Sequence, residues 1–171
     1  SWIFYSILIR DYPCYSFLSA SMKIFIGSDH AGFELKKVLI DYLHDLGHDV
    51  RDLGPQSYTP EDDYPDFIIP VAKEVSHNPS MLRGIVIGGS GQGEAIAANK
   101  VYGIRAAVYY GGNRDIVKLS REHNDSNVLS LGARFLSMDE ARQAVGVWLS
   151  TPFSGDERHK RRIMKIYQIK G

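Results

Sequence analysis

Residues 84–100, Gly84-Ile85-Val86-Ile87-Gly88-Gly89-Ser90-Gly91-Gln92-Gly93-Glu94-Ala95-Ile96-Ala97-Ala98-Asn99-Lys100, restrict the possible folds of this chain more tightly than any other stretch. Ile85, Val86 and Ile87 form a short, continuously apolar and β-branched run, the pattern of a strand buried on both faces, while Ala95 to Lys100 favours helix. Most of the segment between them is glycine. A glycine-rich strand-to-helix turn lets backbone approach a ligand closely and, aided by the helix dipole, aims free N–H groups at negative charge. The order of residues 88–94 has neither the G-x-G-x-x-G spacing of a dinucleotide fold nor the G-x-x-x-x-G-K-[ST] of a P-loop, which argues against a nucleotide as the anion.

Strands and helices alternate on both sides of this unit. Lys23 to Gly27 reads as a first buried strand, followed by Leu35, Leu39, Tyr42, Leu43 and Leu46 at helical spacing, with Lys36, Lys37, Asp41 and Asp45 assigned to the opposite, polar face. Gly47 ends that helix, and His48 to Gly54 makes a less apolar strand suited to a sheet edge. A polar loop containing Glu61-Asp62-Asp63 leads into a helix over about Asp66 to Val75, with Pro70 within it. Further strands are expected at Ile104–Tyr109 and Asn127–Gly132, and helices at Asp115–Glu122, Met138–Leu149 and Asp156–Ile169. The alternation predicts a doubly wound, Rossmann-like α/β fold: a single-domain three-layer sandwich whose five-stranded parallel sheet is covered on both faces. Ligands of such folds gather at the carboxyl ends of the strands.

Charge narrows the partners. The chain of 171 residues has 20 Lys and Arg against 20 Asp and Glu, so neither nucleic acid nor an anionic membrane is expected to bind the molecule as a whole. Its single cysteine, Cys14, excludes an intrachain disulfide and a cysteine-based zinc site, and fits a reducing, cytoplasmic setting. No apolar run is long enough to span a bilayer. Residues 1–21 differ in character from the rest: their apolar start has no preceding basic residue and is broken by Arg10-Asp11-Tyr12-Pro13, which makes a poor signal peptide. They are expected to be a terminal extension, with residues 22–171 forming the functional domain.

The residues able to do chemistry fall mostly just after apolar strands. Glu94 admits two readings: a carboxylate favoured by a helix N-terminus, or a base beside a row of backbone donors, the arrangement needed to remove a proton next to a carbonyl. Ser90 and Glu94 are four apart, whereas a capping box needs three. Asp29-His30 is either a turn that caps the next helix or a polar contact to a ligand. His123 either complements its helix C-terminus or serves a site from another direction, and Asn124 goes with it. Arg158 and Arg162 share a helical face on which two guanidinium groups could clasp a phosphate, in a cluster that otherwise reads as a solvated surface. No metal-ligand pattern such as H-E-x-x-H is present, so no metal is proposed.

Together these motifs strongly resemble the type B ribose-5-phosphate isomerase family, which includes galactose-6-phosphate and allose-6-phosphate isomerases. The resemblance runs from Met22 to about Ile169 and rests on Gly27-Ser28-Asp29-His30-Ala31-Gly32, Asp63-Tyr64-Pro65, Gly88 to Glu94, Ala97-Ala98-Asn99-Lys100, Arg121-Glu122-His123-Asn124 and Arg158-His159-Lys160-Arg161-Arg162. It implies cofactor-independent interconversion of D-ribose 5-phosphate and D-ribulose 5-phosphate, as in the pentose phosphate pathway. It also implies a homodimer or dimer of dimers with the active site shared between subunits. One branch of the family uses a cysteine base at the end of the third strand. This chain has Gly88 there and Glu94 at the position used by the other branch.

By resemblance, Glu94 would move the proton between C2 and C1. Ser90 and the backbone of Gly89, Gly91 and Gly93 would stabilise the enediolate. Asp29 and His123 would assist ring opening, Asn99 and Asn124 would hold sugar oxygens, and Tyr64 would line the pocket. Arg158 and Arg162, with His30 nearby, would bind the phosphate, and Arg134 would add positive charge. The alternatives are an isomerase of a six-carbon aldose phosphate such as allose 6-phosphate, and a non-catalytic sugar-phosphate-binding regulator on the same fold.

Overall fold

The computed structural model describes residues 20–169, so the expected extension over residues 1–21 lies almost wholly outside the described residues. Five strands, β1 (Lys23–Ser28), β2 (Asp49–Asp52), β3 (Arg83–Gly88), β4 (Ala106–Tyr109) and β5 (Val128–Gly132), form one sheet in the order β2-β1-β3-β5-β4. Every pairing is parallel. The helices are α1 (Phe33–Asp45), α2 (Pro65–Ser76), α3 (Gln92–Ala98), α4 (Asp115–Glu122), α5 (Met138–Ser150) and α6 (Glu157–Tyr167).

Parallel strands need crossover helices, and the helices divide between the two faces. On one face Leu35, Leu39 and Leu43 of α1, Val117 of α4 and Ala141, Ala144, Val145 and Trp148 of α5 pack on Ile24, Ile26, Ile85, Ile87, Leu129 and Leu131. On the other, Ile68, Val71, Ala72 and Val75 of α2 and Ala98 of α3 cover Phe25, Val86 and Val128. Successive strand residues point to opposite faces, so the continuous apolar runs of β1, β3 and β5 supply both cores at once. The less apolar β2 takes an edge, as its sequence suggests. Trp148 is fully buried, and its indole N–H donates to Ser126 Oγ at 2.8 Å, removing an unpaired donor from the core.

Three local expectations are corrected. Lys36 lies inside, 1 % exposed, because its Nζ donates to both Asp52 carboxylate oxygens at 2.8 and 2.9 Å and to the Pro55 carbonyl at 2.6 Å. That paired cation ties α1 to the end of β2, and removing one partner would strand a buried charge. The helix expected over Asp66 to Val75 is present as α2, with Pro70 inside it. α3 begins at Gln92, inside the glycine turn, since Gly91 adopts the left-handed backbone (φ 77°) from which the helix starts. β4 is shorter than expected: the Arg105 backbone N–H is taken by the side-chain oxygen of Asn127 at 2.8 Å.

Candidate active site

The carboxyl ends of β1, β3 and β5 bring Asp29, His30, the glycine turn and Arg134 to one pole of the sheet. β3 and β5 run in register to Gly88 and Gly132, after which Ala133 and Arg134 donate their backbone N–H groups to the carbonyls of Gly88 and Gly89. Arg134 then lies over the turn: a Cβ built on Gly89 would be 3.2 Å from its Nη1. Tyr64, at the start of α2, covers the turn from the other side, its ring carbon Cζ 2.8 Å from the place of a Cβ on Gly93. Ser90 is exposed, with its Oγ accepting the Gln92 N–H at 3.3 Å. Among the described residues the N–H groups of Ser90 and Gly91 have no acceptor, as a turn built to hold an anion requires.

Glu94 occupies the first turn of α3 and is only 4 % exposed. Its carboxylate fills the space that a side chain at Gly88 would take: a Cβ there would sit 1.8 Å from Oε1 and 2.1 Å from Cδ. The missing side chain at the end of β3 is thus the slot that holds the carboxylate. Burial pushes the Glu94 carboxyl above its ordinary value, its own backbone N–H opposes this, and the neighbouring Asp29 carboxylate adds to the rise. A buried carboxylate raised in this way, beside unused N–H donors, is suited to accept a proton from carbon while the developing oxyanion is held.

Asp29 is itself buried, and its Oδ1 accepts the Gly32 N–H at 3.0 Å where the chain turns into α1. Neither Asp29 nor His30 is the N-cap; Gly32 is. His30 is held by Asp62, whose Oδ1 lies 2.7 Å from His30 Nδ1 and accepts the His30 backbone N–H at 3.0 Å. Asp29, His30 and Asp62 present ligand atoms within 4.8 Å of one another, a grouping that could hold a cation, although two of the three already pair together.

His123, Asn124, Arg158 and Arg162 are not in this cluster. α4 runs back across the sheet, so His123 at its C-terminus lies near the start of β5, at the amino-terminal pole. The five residues of β5 at about 3.3 Å each put roughly 16 Å between the two poles. His123 stacks on His159 of α6, ring centroids 4.4 Å apart and planes inclined by 14°, and the Ser154 N–H donates to the Glu122 carbonyl. The exposed Arg158 and Arg162 therefore accompany His123. Asn99 is engaged elsewhere, since its side-chain amide both donates to and accepts from the backbone of Ala106, fastening α3 to the start of β4.

The geometry places a carboxylate, a glycine turn and cationic groups where a small anionic substrate could react, and known proteins define the type. The sequence profile described as ribose/galactose isomerase matches residues 24–166. The chain belongs to that family. Ribose-5-phosphate isomerase B of Mycolicibacterium paratuberculosis is 45 % identical over 142 residues, covering 83 % of this chain and 87 % of the relative. Among solved structures, ribose-5-phosphate isomerase B from Mycoplasma genitalium, with bound ribulose-5-phosphate, superposes with a TM-score of 0.83 at 42 % identity, covering 86 % of this chain and 95 % of that one. The Clostridium thermocellum enzyme gives 0.80 at 47 % identity, covering 86 % and 96 %. As a ribose/galactose isomerase family member, the chain shares the fold of these solved relatives over the 86 % of its length that they cover.

Two residues of this family member escape a reading of the sequence alone. Asp62 sits in an acidic loop that looks solvated, yet its side chain is 6 % exposed and reaches back 32 residues to His30. His159 is 3 % exposed and supports the ring of His123; among the described residues its Nε2 has no hydrogen-bond partner. Burial, followed by His123 and Arg158, lowers its tendency to take a proton. Only the position of His159 on the inward face of α6, four residues before the buried Ile163, carries a sequence signal for it.

Proposed function

We propose that this protein interconverts D-ribose 5-phosphate and D-ribulose 5-phosphate, with Glu94 as the base that carries a proton between C2 and C1. The observation that carries the reading is the Glu94 carboxylate itself, buried in the slot left by Gly88 with its carboxyl raised above the ordinary range. The solved relative with bound ribulose-5-phosphate supports the choice of a five-carbon sugar phosphate.

The steps follow from the groups present. Asp29 and His123 assist the opening of the sugar ring that exposes the C1 aldehyde. Glu94 then removes the C2 proton while charge moves onto the carbonyl oxygen, and the N–H groups of the glycine turn, with the Ser90 hydroxyl, hold that oxyanion. A proton passes from the C2 hydroxyl to the oxygen on C1, and the same carboxyl returns its proton to C1 as the ketone forms at C2, so a single group serves as base and then acid. Arginines and His30 hold the phosphate, and binding energy from that remote end orients the reacting carbons. Desolvation keeps Glu94 poised as a base stronger than a free carboxylate.

A homodimer with composite sites is part of this reading. His123 and Glu94 cannot meet one substrate within a single chain if they stand at opposite poles, and a second copy can bring His123, Asn124, Arg158 and Arg162 to the Glu94 pole. A two-fold axis would form two such sites at once. The test is turnover of ribose 5-phosphate against allose 6-phosphate by purified protein, with Glu94→Gln as control. Turnover of the six-carbon sugar in preference would move the assignment within the family, and binding without turnover of either would make the protein a regulator.

A further inference from the structure

We infer that Asp62 is a positioning residue: it fixes the orientation of the His30 ring and holds its Nδ1 proton, so that Nε2 is the ring nitrogen that faces the substrate's phosphate. The inference rests on the isomerase reading for the identity of that phosphate, and on the structure for the dyad. One carboxylate oxygen of Asp62 meets two groups of the same residue, Nδ1 of the ring at 2.7 Å and the backbone N–H at 3.0 Å, which fixes both the ring and the chain that carries it. An ionised carboxylate oxygen only accepts, so the shared proton belongs on Nδ1. The partner of one imidazole nitrogen thereby decides what the other can do.

The surroundings agree. Asp62 is nearly enclosed, with 6 % of its side chain exposed, while the His30 side chain retains 27 %, so the dyad has a buried carboxylate and a ring reachable from solvent. No described residue hydrogen-bonds to His30 Nε2. Asp29 lies on the same side within the 4.8 Å grouping, and Tyr58 meets the ring edge-on at 6.4 Å between centroids. The preceding Glu61 adopts the left-handed backbone at φ 65°, uncommon for a residue other than glycine, at the bend that turns Asp62 inward. When a phosphate dianion binds at Nε2, the doubly protonated ring lies between two anions, with Asp62 balancing it from behind.

The test joins a spectroscopic readout to a kinetic one. Protein labelled with [15N]histidine is recorded with and without inorganic phosphate, and His30→Gln identifies the His30 signals. The wild type is expected to show Nδ1 protonated and hydrogen-bonded, and to show the Nε2 signal, rather than Nδ1, perturbed on phosphate addition. Asp62→Ala is expected to lose the hydrogen-bonded Nδ1 signal, because the ring is released, and to raise the KM for ribose 5-phosphate about tenfold with kcat within about threefold, the scale of one lost hydrogen bond to a charged group. Asp62→Asn, whose amide oxygen can still accept from Nδ1, is expected to keep the tautomer and recover part of the KM. A thermal melt establishes that each variant is folded, and the Asn variant carries the test should the Ala variant fail. An Nε2–H tautomer in the wild type, or a KM for folded Asp62→Ala within about twofold of wild type, would overturn the assignment. Absence of wild-type turnover would refute the isomerase reading, while the spectra still judge the dyad.

Discussion

Gly88→Ala is a one-methyl change that should act on catalysis through Glu94. The added Cβ would lie 1.8 Å from Glu94 Oε1, 2.1 Å from Cδ and 2.6 Å from Oε2, whereas real Cβ atoms do not approach closer than 3.0 Å. The carboxylate must therefore retreat by more than about 1 Å, a misplacement able to cost on the order of 100-fold in a proton-transfer step. We expect kcat for ribose 5-phosphate to fall about 100-fold, KM to change little because the phosphate contacts are elsewhere, and stability to drop by about 1–3 kcal/mol from overpacking. The assay is ketose formation under saturating substrate, with thermal unfolding alongside. Placing Gly88→Ala on top of Glu94→Gln should cost little further activity, since both changes remove the same group from its place. A kcat within about threefold of wild type, or full additivity in the double variant, would refute the argument that Gly88 exists to seat Glu94.

Glu94→Gln should lose most turnover yet still bind substrate in a calorimetric titration, because the amide keeps the shape and cannot take the carbon proton. With the Glu94 carboxyl raised in the folded state, its contribution to stability is fully present at acid pH and lost as pH rises through the folded value; near neutral pH the Gln variant should thus melt at least as high as wild type, with that advantage vanishing in acid. The acid limb of kcat/KM should likewise fall above the ordinary carboxylate range. His159 has the opposite sign, its protonation opposed by burial and by His123: stability should drop as pH falls below about 6.5, and less so in His159→Asn, as read by thermal melts across that range. Mixing Glu94→Gln with His123→Ala after proven subunit exchange should restore roughly one quarter of wild-type activity, and no recovery would place both groups in one subunit's site. Chelator treatment should leave turnover unchanged, as measured before and after dialysis.

The fold is legible because its signals are local. The apolar runs of β1, β3 and β5, the helical spacing of Leu35, Leu39 and Leu43 and the glycine after α1 each depend on residues close in sequence. Lys36 is misplaced by its sequence pattern for the complementary reason: its partners Asp52 and Pro55 lie 16 and 19 residues away, and a lysine on a helix ordinarily faces solvent. Asp62 is hidden in the same way, within a run of three acids that gives no cue as to which turns inward. Glu94 can be read as a candidate from the turn that precedes it, its role as base coming only with the family resemblance. The use of Gly88 as its slot cannot, since nothing in a sequence states which side chain occupies the volume that a glycine leaves.

The placement of Glu94 and His123 at opposite poles bears on how damage spreads through a mixed population of subunits. With a site completed across the interface, a chain carrying Glu94→Gln alone spoils one of the two sites in a dimer with a sound partner, because it still lends its own His123 to the other. A chain carrying both Glu94→Gln and His123→Ala spoils both, one by lacking the base and the other by lending a dead histidine. In an equal, freely assorting mixture with wild type, the single variant would leave about half of all sites working and the double variant about a quarter, so that a dominant-negative phenotype arises from two lesions that are individually milder. Distance across one small sheet would in this way determine whether a defective allele is recessive or dominant.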